Sequence, residues 1–580
     1  MLPLRLLEPV YWLRGANALS RRGRGVRRSL SQSHLPQDGL TLSSFTPKQP
    51  PKPESLTSSQ LSPHHAEHSE NPAPQTFAIE TYGCQMNVSD TEIVRAVLLE
   101  AGKTEVQSAA DADVVLLNTC AIRDNAEKKI WHRLSHLSHV RKKRGLTVGV
   151  LGCMAERLKT RMLEGGQVDL IAGPDSYRDL PRLLDIVAAE GEEAVNVQLS
   201  QDETYADITP VRAPKGGGLP ISAFVSIMRG CNNMCAFCVV PFTRGTERSR
   251  PLESIVDEVR SLSDQGVKEV TLLGQNVNSY HDKSPDSLLS YPDSKLSVAS
   301  GFHNNFNAKS RHGAGARFAD LLHQVADIDP EMRIRYTSPH PKDFPTEVVE
   351  AIKTRHNICK QLHMPAQSGS STVLERMRRG YSREAYIALV QQVRREVPGV
   401  ALSSDFICGF CGESEEDHED TLSLMREVGY DQCFMFAYSL REKTRAAHRM
   451  SDDVSPEVKS RRLQEVIDTF YSAIAEKNEA LEVGRVHTVL VEGQSKRSTP
   501  EAPQLTGRTD TNKRVAFAMH QVAASVREPN TMVDLKPGDY ASVVITGTRK
   551  ISLVGRAVSR TTLTEACYDP SNSPVPSRLR

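Results

Sequence analysis

Three times between residues 76 and 153 a short apolar run leads into a cysteine. Thr76–Thr81 (TFAIET) runs into Cys84. Asp113–Leu117 (DVVLL) continues through Asn118 and Thr119 into Cys120, and Thr147–Leu151 (TVGVL) runs into Cys153. Helix-like segments follow each cysteine, at about 125–140 and 154–163 for the second and third, and a fourth short run covers Val168–Ala172. Alternating strand and helix predicts βα units around a mostly parallel open sheet. All three thiols then fall at carboxyl ends of strands, the edge where open α/β sheets place their sites. A helix N-terminus also lowers a thiol pKa and favours the thiolate. The bland alternative is three unrelated buried thiols. Ser89 and Glu92 read as a capping box ahead of the stripe Ile93, Val97 and Leu98.

A second α/β block begins near Ile221. Its strand candidates are Ile221–Met228, Glu269–Leu273, Arg333–Ser338, Gln361–Pro365, Leu402–Gly409 and Gln432–Tyr438, with helical patterns between most of them. Six such units predict a barrel on the (β/α) plan, short of the usual eight. Directly after the first strand comes Met228–Pro241, MRGCNNMCAFCVVP, with Cys231, Cys235 and Cys238 spaced C-x3-C-x2-C. Tetrahedral zinc and a fully ligated iron–sulfur cluster each take four ligands. Neither triad offers a fourth Cys or His nearby, which counts against a structural zinc protein.

The rest of the chain divides by composition. Residues 1–33 carry Arg5, Arg14, Arg21, Arg22, Arg24, Arg27 and Arg28 against one acid, Glu8. That is the pattern of a mitochondrial transit peptide; a basic arm is the other reading. Residues 34–74 are rich in Ser, Pro and His and read as a disordered linker. The three-cysteine domain then spans 75–200 and the barrel domain 217–482. Within the latter, 281–315 lacks periodicity and reads as a disordered insertion. From 483 to 557 the period becomes two, which predicts a small β-barrel of the oligonucleotide-binding kind, and 558–580 reads as a loose tail.

Of 580 residues, 11 are cysteine, too few and too scattered for a disulfide scaffold, so they read as thiols in a reducing compartment. No apolar run is long enough for a membrane span. Net charge is only +1, so nucleic-acid contact would have to come from local clusters. Candidates are Arg141–Arg144 (RKKR), Arg376–Arg379 (RMRR) and the arginines of Arg244–Arg250, each of which also reads as a solvated face.

The C-x3-C-x2-C triplet resembles the radical S-adenosylmethionine enzymes. There, three thiolates hold a [4Fe–4S] cluster whose open iron binds S-adenosylmethionine, and one electron cleaves it to a 5′-deoxyadenosyl radical. By the same coordination logic Cys84, Cys120 and Cys153 would hold a second [4Fe–4S] cluster. Two open triads in one chain, followed by a small β-barrel, resemble the methylthiotransferases. These join a three-cysteine domain, a radical barrel and a TRAM-type RNA-binding module in this order, and the resemblance covers roughly Thr76 to Arg556. Tyr82–Asp90 (YGCQMNVSD) and Asn118–Ala126 (NTCAIRDNA) look like the branch that acts on isopentenyl-adenosine in transfer RNA.

The resemblance implies methylthio transfer to that base beside the anticodon, with one S-adenosylmethionine methylating a cluster-held sulfur and a second supplying the radical. It implies transfer RNA as partner, an electron donor, a sulfur source and a mitochondrial matrix location. It also implies cofactor contacts from Phe237 beside the adenine, from Gly274, Gln275 and Asn276 at the end of the second barrel strand, and from Gly409, Gly412 and Glu413 in GFCGE. Cys411 stands where that family usually has Pro, which leaves the shape of this turn open and creates a C-x2-C with Cys408. Two other readings stay open: a different base, such as threonylcarbamoyl-adenosine, or a non-enzymatic protein that restrains a cyclin-dependent kinase activator.

Overall fold

The computed structural model describes residues 75–121, 124–212, 220–294, 301–302 and 313–567, all within one compact unit, Asn71–Arg580. The transit peptide and linker expected over 1–33 and 34–74 lie outside the described residues.

The first domain is a six-stranded parallel sheet in the order β2-β1-β3-β4-β5-β6. Its strands are β1 (Thr76–Thr81), β2 (Thr104–Glu105), β3 (Val114–Thr119), β4 (Thr147–Gly152), β5 (Leu170–Ala172) and β6 (Ala194–Asn196). Buried on both faces, β3 and β4 read as continuous apolar runs. The edge strands β2 and β6, of two and three residues, are too short to leave a sequence period. Helices α1 (Gln85–Glu100), α2 (Asp124–Arg144), α3 (Cys153–Leu158) and α4 (Leu180–Glu190) cover the sheet. The expected capping box at Ser89 and Glu92 is corrected: α1 starts earlier, with Cys84 itself as N-cap. Asn87 Oδ1 accepts from the Cys84 N–H at 3.2 Å, while Ser89 lies buried inside the helix.

The second domain holds six parallel strands. β7 (Ser222–Ser226), β10 (Glu269–Leu273) and β11 (Arg333–Tyr336) form one sheet; β12 (Gln361–His363), β13 (Ala401–Cys408) and β14 (Gln432–Ala437) form another. A parallel bridge between Ile334 and Ile358 joins the two halves into a partial barrel. One apolar core runs through it, from Val225 and Leu272 to Phe406 and the long terminal helix Pro456–Glu482. A small ribbon, β8 (Met228–Arg229) with β9 (Arg248–Ser249), brackets the cysteine loop and the one-turn helix α5 (Val240–Thr243).

The described part of the supposed insertion is structured, which corrects the expectation of disorder for those residues. Pro285–Ser290 is helical, and the Asp282 carboxylate accepts from the Leu252 N–H at 2.8 Å, at the start of the earlier helix Leu252–Asp264. Phe302 is buried against Tyr381, ring centroids 5.3 Å apart. These contacts are side chain to backbone or isolated rings, so they leave no periodic signature. Residues 295–300 and 303–312 lie outside the described set.

At the C-terminus are β15 (Val486–Gln494), β16 (Gln504–Thr509), β17 (Arg514–Ala518), β18 (Val522–Ala523), β19 (Met532–Val533), β20 (Tyr540–Arg549) and β21 (Ser552–Thr561). Parallel pairing of β17 with β21 closes five of them into a barrel. The tail expected from residue 558 is also corrected. β21 continues to Thr561, and the Leu563–Cys567 helix docks through Leu563 and Thr564 N–H groups on the Glu331 carboxylate at 2.6 and 3.1 Å.

This small barrel covers the amino ends of the large barrel's strands. Arg333, first residue of β11, donates to the carbonyls of Arg508 and Thr488 at 2.8 and 2.6 Å. Arg335 donates to those of Asp510 and Thr509 at 2.8 and 2.7 Å. Lys513 enters the base, 3.0 Å from Asp431 and 2.9 Å from Glu482. Polar cavities of about 390 and 360 Å³ flank this lock, and neither contains any of the six motif cysteines.

Lys513→Met strips a buried cation from two carboxylates and should destabilise by about 3 kcal/mol, read as a lower melting temperature. Burial pushes the Glu482 carboxyl up, but the His487 hydrogen bond and the Lys513 charge hold it well below the usual range. A carboxyl depressed by folding stabilises above its unfolded pKa, about 4.3, and that contribution fades as pH falls toward the folded value. Unfolding followed downward from about pH 5 should therefore steepen in the parent and less so in Glu482→Gln.

Candidate metal and cofactor centre

The first triad is assembled by the strand ends. Cys84 caps α1, Cys120 follows β3, and Cys153 opens α3 directly after β4. β1, β3 and β4 are neighbours in register, so their ends share one edge of the sheet. Asn87 and Asn118 sew that edge together. Asn87 Nδ2 donates to Asn118 Oδ1 at 3.1 Å and to the Thr119 carbonyl at 3.0 Å. Asn118 Nδ2 returns bonds to the Asn87 carbonyl and Thr91 Oγ1 at 2.9 and 3.0 Å. Gly83 sits at φ +133°, where a β-carbon would lie 2.7 Å from that of Cys120, so only glycine lets the two cysteine segments approach.

Cys231 and Cys235 are buried, and Cys238 is partly so. The loop carrying them is tied to the far side of the barrel: Ala236 N–H donates to the Met377 carbonyl at 2.9 Å, and the Ala236 carbonyl accepts from Ala446 N–H at 2.8 Å. Gly230, at φ +76°, has the Thr246 carbonyl 2.0 Å from where a β-carbon would stand. That close approach holds the two ends of the loop together.

The triads meet. Val239, next to Cys238, packs on Cys153 and on Ala121, next to Cys120. From the end of α5, Arg244 crosses into the first domain and donates through Nε to Cys153 Sγ at 3.1 Å and through Nη2 to Asp90 at 2.7 Å. Arg229 takes the other Asp90 oxygen at 2.9 Å. On the barrel side, Arg379 donates to Cys235 Sγ at 3.4 Å and to the Pro365 carbonyl at 2.8 Å. The expectation of solvated or phosphate-binding faces is thus corrected for Arg244, Arg248, Arg250 and Arg379, while Lys143 and Arg144 of the first cluster are exposed. Arg244, Arg248, Arg250 and Arg379 are buried, with Arg248 on Asp175 and Arg250 on Glu258. Arg376 pairs with Asp417 and Arg141 with Asp169. The basic runs gave no hint of this, because apart from Glu258 the paired acids lie 28 to 154 positions away.

A hydrogen bond from Cys120 brings the Cys84 thiol down to about 6, against burial and with help from the Arg244 charge. Burial pushes Cys153 and Cys231 up, and burial with the Cys235 charge raises Cys238 to about 12. Protein groups alone thus ionise one thiol easily and oppose ionising others. Among the described residues no three His, Cys, Asp or Glu side chains converge on a single ion's point. Thiols gathered at a shared edge suit a larger cationic body gripped from several sides. In donor chemistry each triad offers the three thiols that a [4Fe–4S] cluster with one open corner takes.

The other expected contacts divide. Phe237 packs beside Phe410, Met377 and Tyr438, next to the GFCGE turn. Both polar ends of Gln275 are buried without a partner among the described residues, as are those of Asn278. Buried amides are rarely left so, which marks this loop as one a polar ligand would complete. Sequence reasoning missed Asn278, three residues on in the same motif. Asn276, by contrast, is spent within the protein, donating to Asp343 at 2.8 Å and accepting from His340 N–H at 3.1 Å. Glu413 accepts from Gly409 N–H at 2.8 Å and from Arg462 at 3.0 Å, so it braces its own turn. Gly274 is pressed on Met228 and Gly409 on Lys459, while Gly412 N–H donates to Asp453 at 2.7 Å. Cys408 packs in the barrel core and Cys411 in the separate cluster with Phe410; burial pushes both thiols up.

Comparison with known proteins finds two family matches and several close relatives. Residues 76–173 match the Uncharacterized protein family UPF0004, and residues 225–425 match the Radical SAM superfamily. Mitochondrial tRNA methylthiotransferase CDK5RAP1 of Rattus norvegicus is 56% identical over 494 residues, covering 84% of this chain and 82% of that protein. The Homo sapiens protein of that name is 53% identical over 508 residues, with the same coverage. The chain belongs to the radical S-adenosylmethionine methylthiotransferases. A bacterial relative, tRNA-2-methylthio-N(6)-dimethylallyladenosine synthase of Chloroherpeton thalassium, is 46% identical over 482 residues, 83% of this chain and 95% of that one. In this methylthiotransferase the two family matches fall on the two triads separately, one on each side of the Asp90–Arg244 contact.

Gly230→Val should abolish loading of the barrel triad while sparing the first. Anaerobic iron and sulfide counting would then find about four irons per chain rather than about eight.

Proposed function

We propose that this protein adds a methylthio group to isopentenyl-adenosine next to the anticodon of mitochondrial transfer RNA. The observation that carries the proposal is the meeting of two incomplete cysteine triads across one buried interface, through Val239 and Arg244. A sulfur site and a radical site must act on one base, and this arrangement packs Val239, the neighbour of Cys238, in one cluster with Cys153. The names of the relatives and the YGCQMNVSD and NTCAIRDNA wording support the choice of base.

When bound, a [4Fe–4S] cluster in each triad and S-adenosylmethionine supply the one-electron cleavage, the radical and the sulfur site. Cys231, Cys235 and Cys238 would hold the barrel cluster, and Cys84, Cys120 and Cys153 the other. The chain's remaining contribution is orientation and exclusion of water. Arg379 holds Cys235 and, through Tyr381, the neighbouring loop at 3.0 Å. Gln275 and Asn278 offer buried amides to the polar groups of S-adenosylmethionine. Phe237 offers a flat apolar face to its adenine. The target base must leave its stack to enter this face of the barrel.

Phosphate contact falls to exposed cations. On β21 the alternation of a strand puts Arg556 and Arg560 on the exposed face, on either side of buried Ala557 and Ser559. Among the described residues no helix is long and apolar enough to cross a membrane. The Arg-rich N-terminus and the names of the animal relatives support a mitochondrial location, and mitochondrial transfer RNA as substrate would make it the matrix.

Cys84→Ala and Cys231→Ala should each abolish the methylthio mark, read by mass spectrometry of nucleosides from cells lacking the native protein. A full mark from either variant would sink the proposal, and a mark on threonylcarbamoyl-adenosine instead would reassign the base. Neutralising Arg556 and Arg560 together should weaken transfer RNA binding and reduce its salt slope by about 1–2, measured by titration across salt concentrations.

A further inference from the structure

Arg244 is buried, yet its guanidinium is not fully spent. Nε donates to Cys153 Sγ at 3.1 Å and Nη2 to Asp90 Oδ2 at 2.7 Å. Nη1 is buried with no hydrogen-bond partner among the described residues. An unpaired buried N–H of a charged group is costly, so an acceptor placed beside it would be stabilised. Asp90 is itself locked, with Arg229 on its other oxygen at 2.9 Å and Tyr177 Oη at 3.4 Å. The planar fork of arginine is thereby held in one orientation. With Nε on a ligand thiol, the fork lies against the first triad. Arg379 makes a similar contact with Cys235, but its Nε, Nη1 and Nη2 are all occupied, by Tyr381, Cys235 and the Pro365 carbonyl. The two triads therefore differ: the barrel triad has a satisfied arginine, the first triad one with a donor in reserve.

Resting on the function proposed above, we infer that Arg244 is the positioning residue of the first triad: Nε steadies Cys153, and the reserve Nη1 N–H donates to the anionic sulfur that the triad's cluster carries. The donor comes from the barrel domain, six residues after Cys238, so the barrel sets the electronic environment of its neighbour's cluster. Hydrogen bonds to cluster sulfur and a nearby cation both favour the reduced, more negative state. Lysine could not substitute, because one ammonium on a flexible stem does not reproduce a fork fixed on Asp90 and Cys153 together.

The test uses the full-length chain with Cys231, Cys235 and Cys238 changed to Ala, purified without oxygen, so that only the first triad holds a cluster. Its midpoint potential is titrated by electron paramagnetic resonance, and exchangeable deuterons near the reduced cluster are read by pulsed methods in heavy water. Arg244→Gln should shift the midpoint to more negative values and remove a strongly coupled deuteron. Arg244→Lys should keep the midpoint nearer the parent but still lose that deuteron. Arg212→Gln, which breaks another cross-domain link, between Glu92 and Glu258, but touches neither a cysteine nor Arg244, should lower the melting temperature and move neither signal.

A loaded Arg244→Gln protein whose midpoint and deuteron coupling match the parent would overturn the inference. If that variant fails to load, an unchanged deuteron in Arg244→Lys overturns it equally. A parent with no cluster at the first triad would defeat the proposed function itself, and the inference with it.

Discussion

One carboxylate organises the centre of this molecule. Asp90, fully buried on α1, is shared by Arg229 and Arg244 from the barrel. Burial alone would push its carboxyl up, and the two guanidinium charges more than offset that, so the group stays below the usual range and ionised. Taking these charges out of water is costly, and a buried pair is weak evidence for stability. What the network supplies is register. It fixes the first domain's strand-end edge against the loop that follows Cys238, and any other docking would leave a charge unpaired in a dry interface. Tyr205 reinforces the fit, with the Arg229 guanidinium 4.7 Å over its ring.

The same logic recurs at the opposite end of the barrel with a different chemistry. There the arginines of β11 donate chiefly to main-chain carbonyls of the small barrel, and Lys513 supplies the cation. Backbone acceptors do not depend on side-chain identity, so this joint demands shape more than sequence. The two joints divide the labour: one edge of the large barrel faces the cysteines, and the other is sealed by the module that offers Arg556 and Arg560 to solvent. A transfer RNA that reached both would span the length of the large barrel, consistent with recognition by phosphate contact at one end and chemistry on a single base at the other.

Much of this was legible in the chain. Strand after strand ended in cysteine, and that placement is local: it follows from apolar runs, helix starts and the coordination count of three thiols. The (β/α) plan of the second block was equally readable, because β10 and β13 are long buried runs with helices between. The misses share a cause. Ser89 and Glu92 had the capping pattern, but Cys84 with Asn87 began the helix earlier. Residues 281–294 lacked period because their order comes from Asp282 and isolated contacts rather than a face. Glu413 and Asn276 carried motif positions, yet their polar atoms are consumed by Arg462 and Asp343.

By itself, then, the sequence determined the chemistry's raw materials: six thiols in two open triads, a parallel scaffold to present them, and a β-module to follow. Only the tertiary structure decided that the triads are neighbours and which charges stand beside them. Cys153 and Arg244 are 91 positions apart, and Asp90 and Arg244 are 154 apart. Whether an arginine is a solvated surface charge or a dry donor on a cysteine depends on desolvation. Desolvation is set by what distant segments fold over it, which no local pattern of residues records.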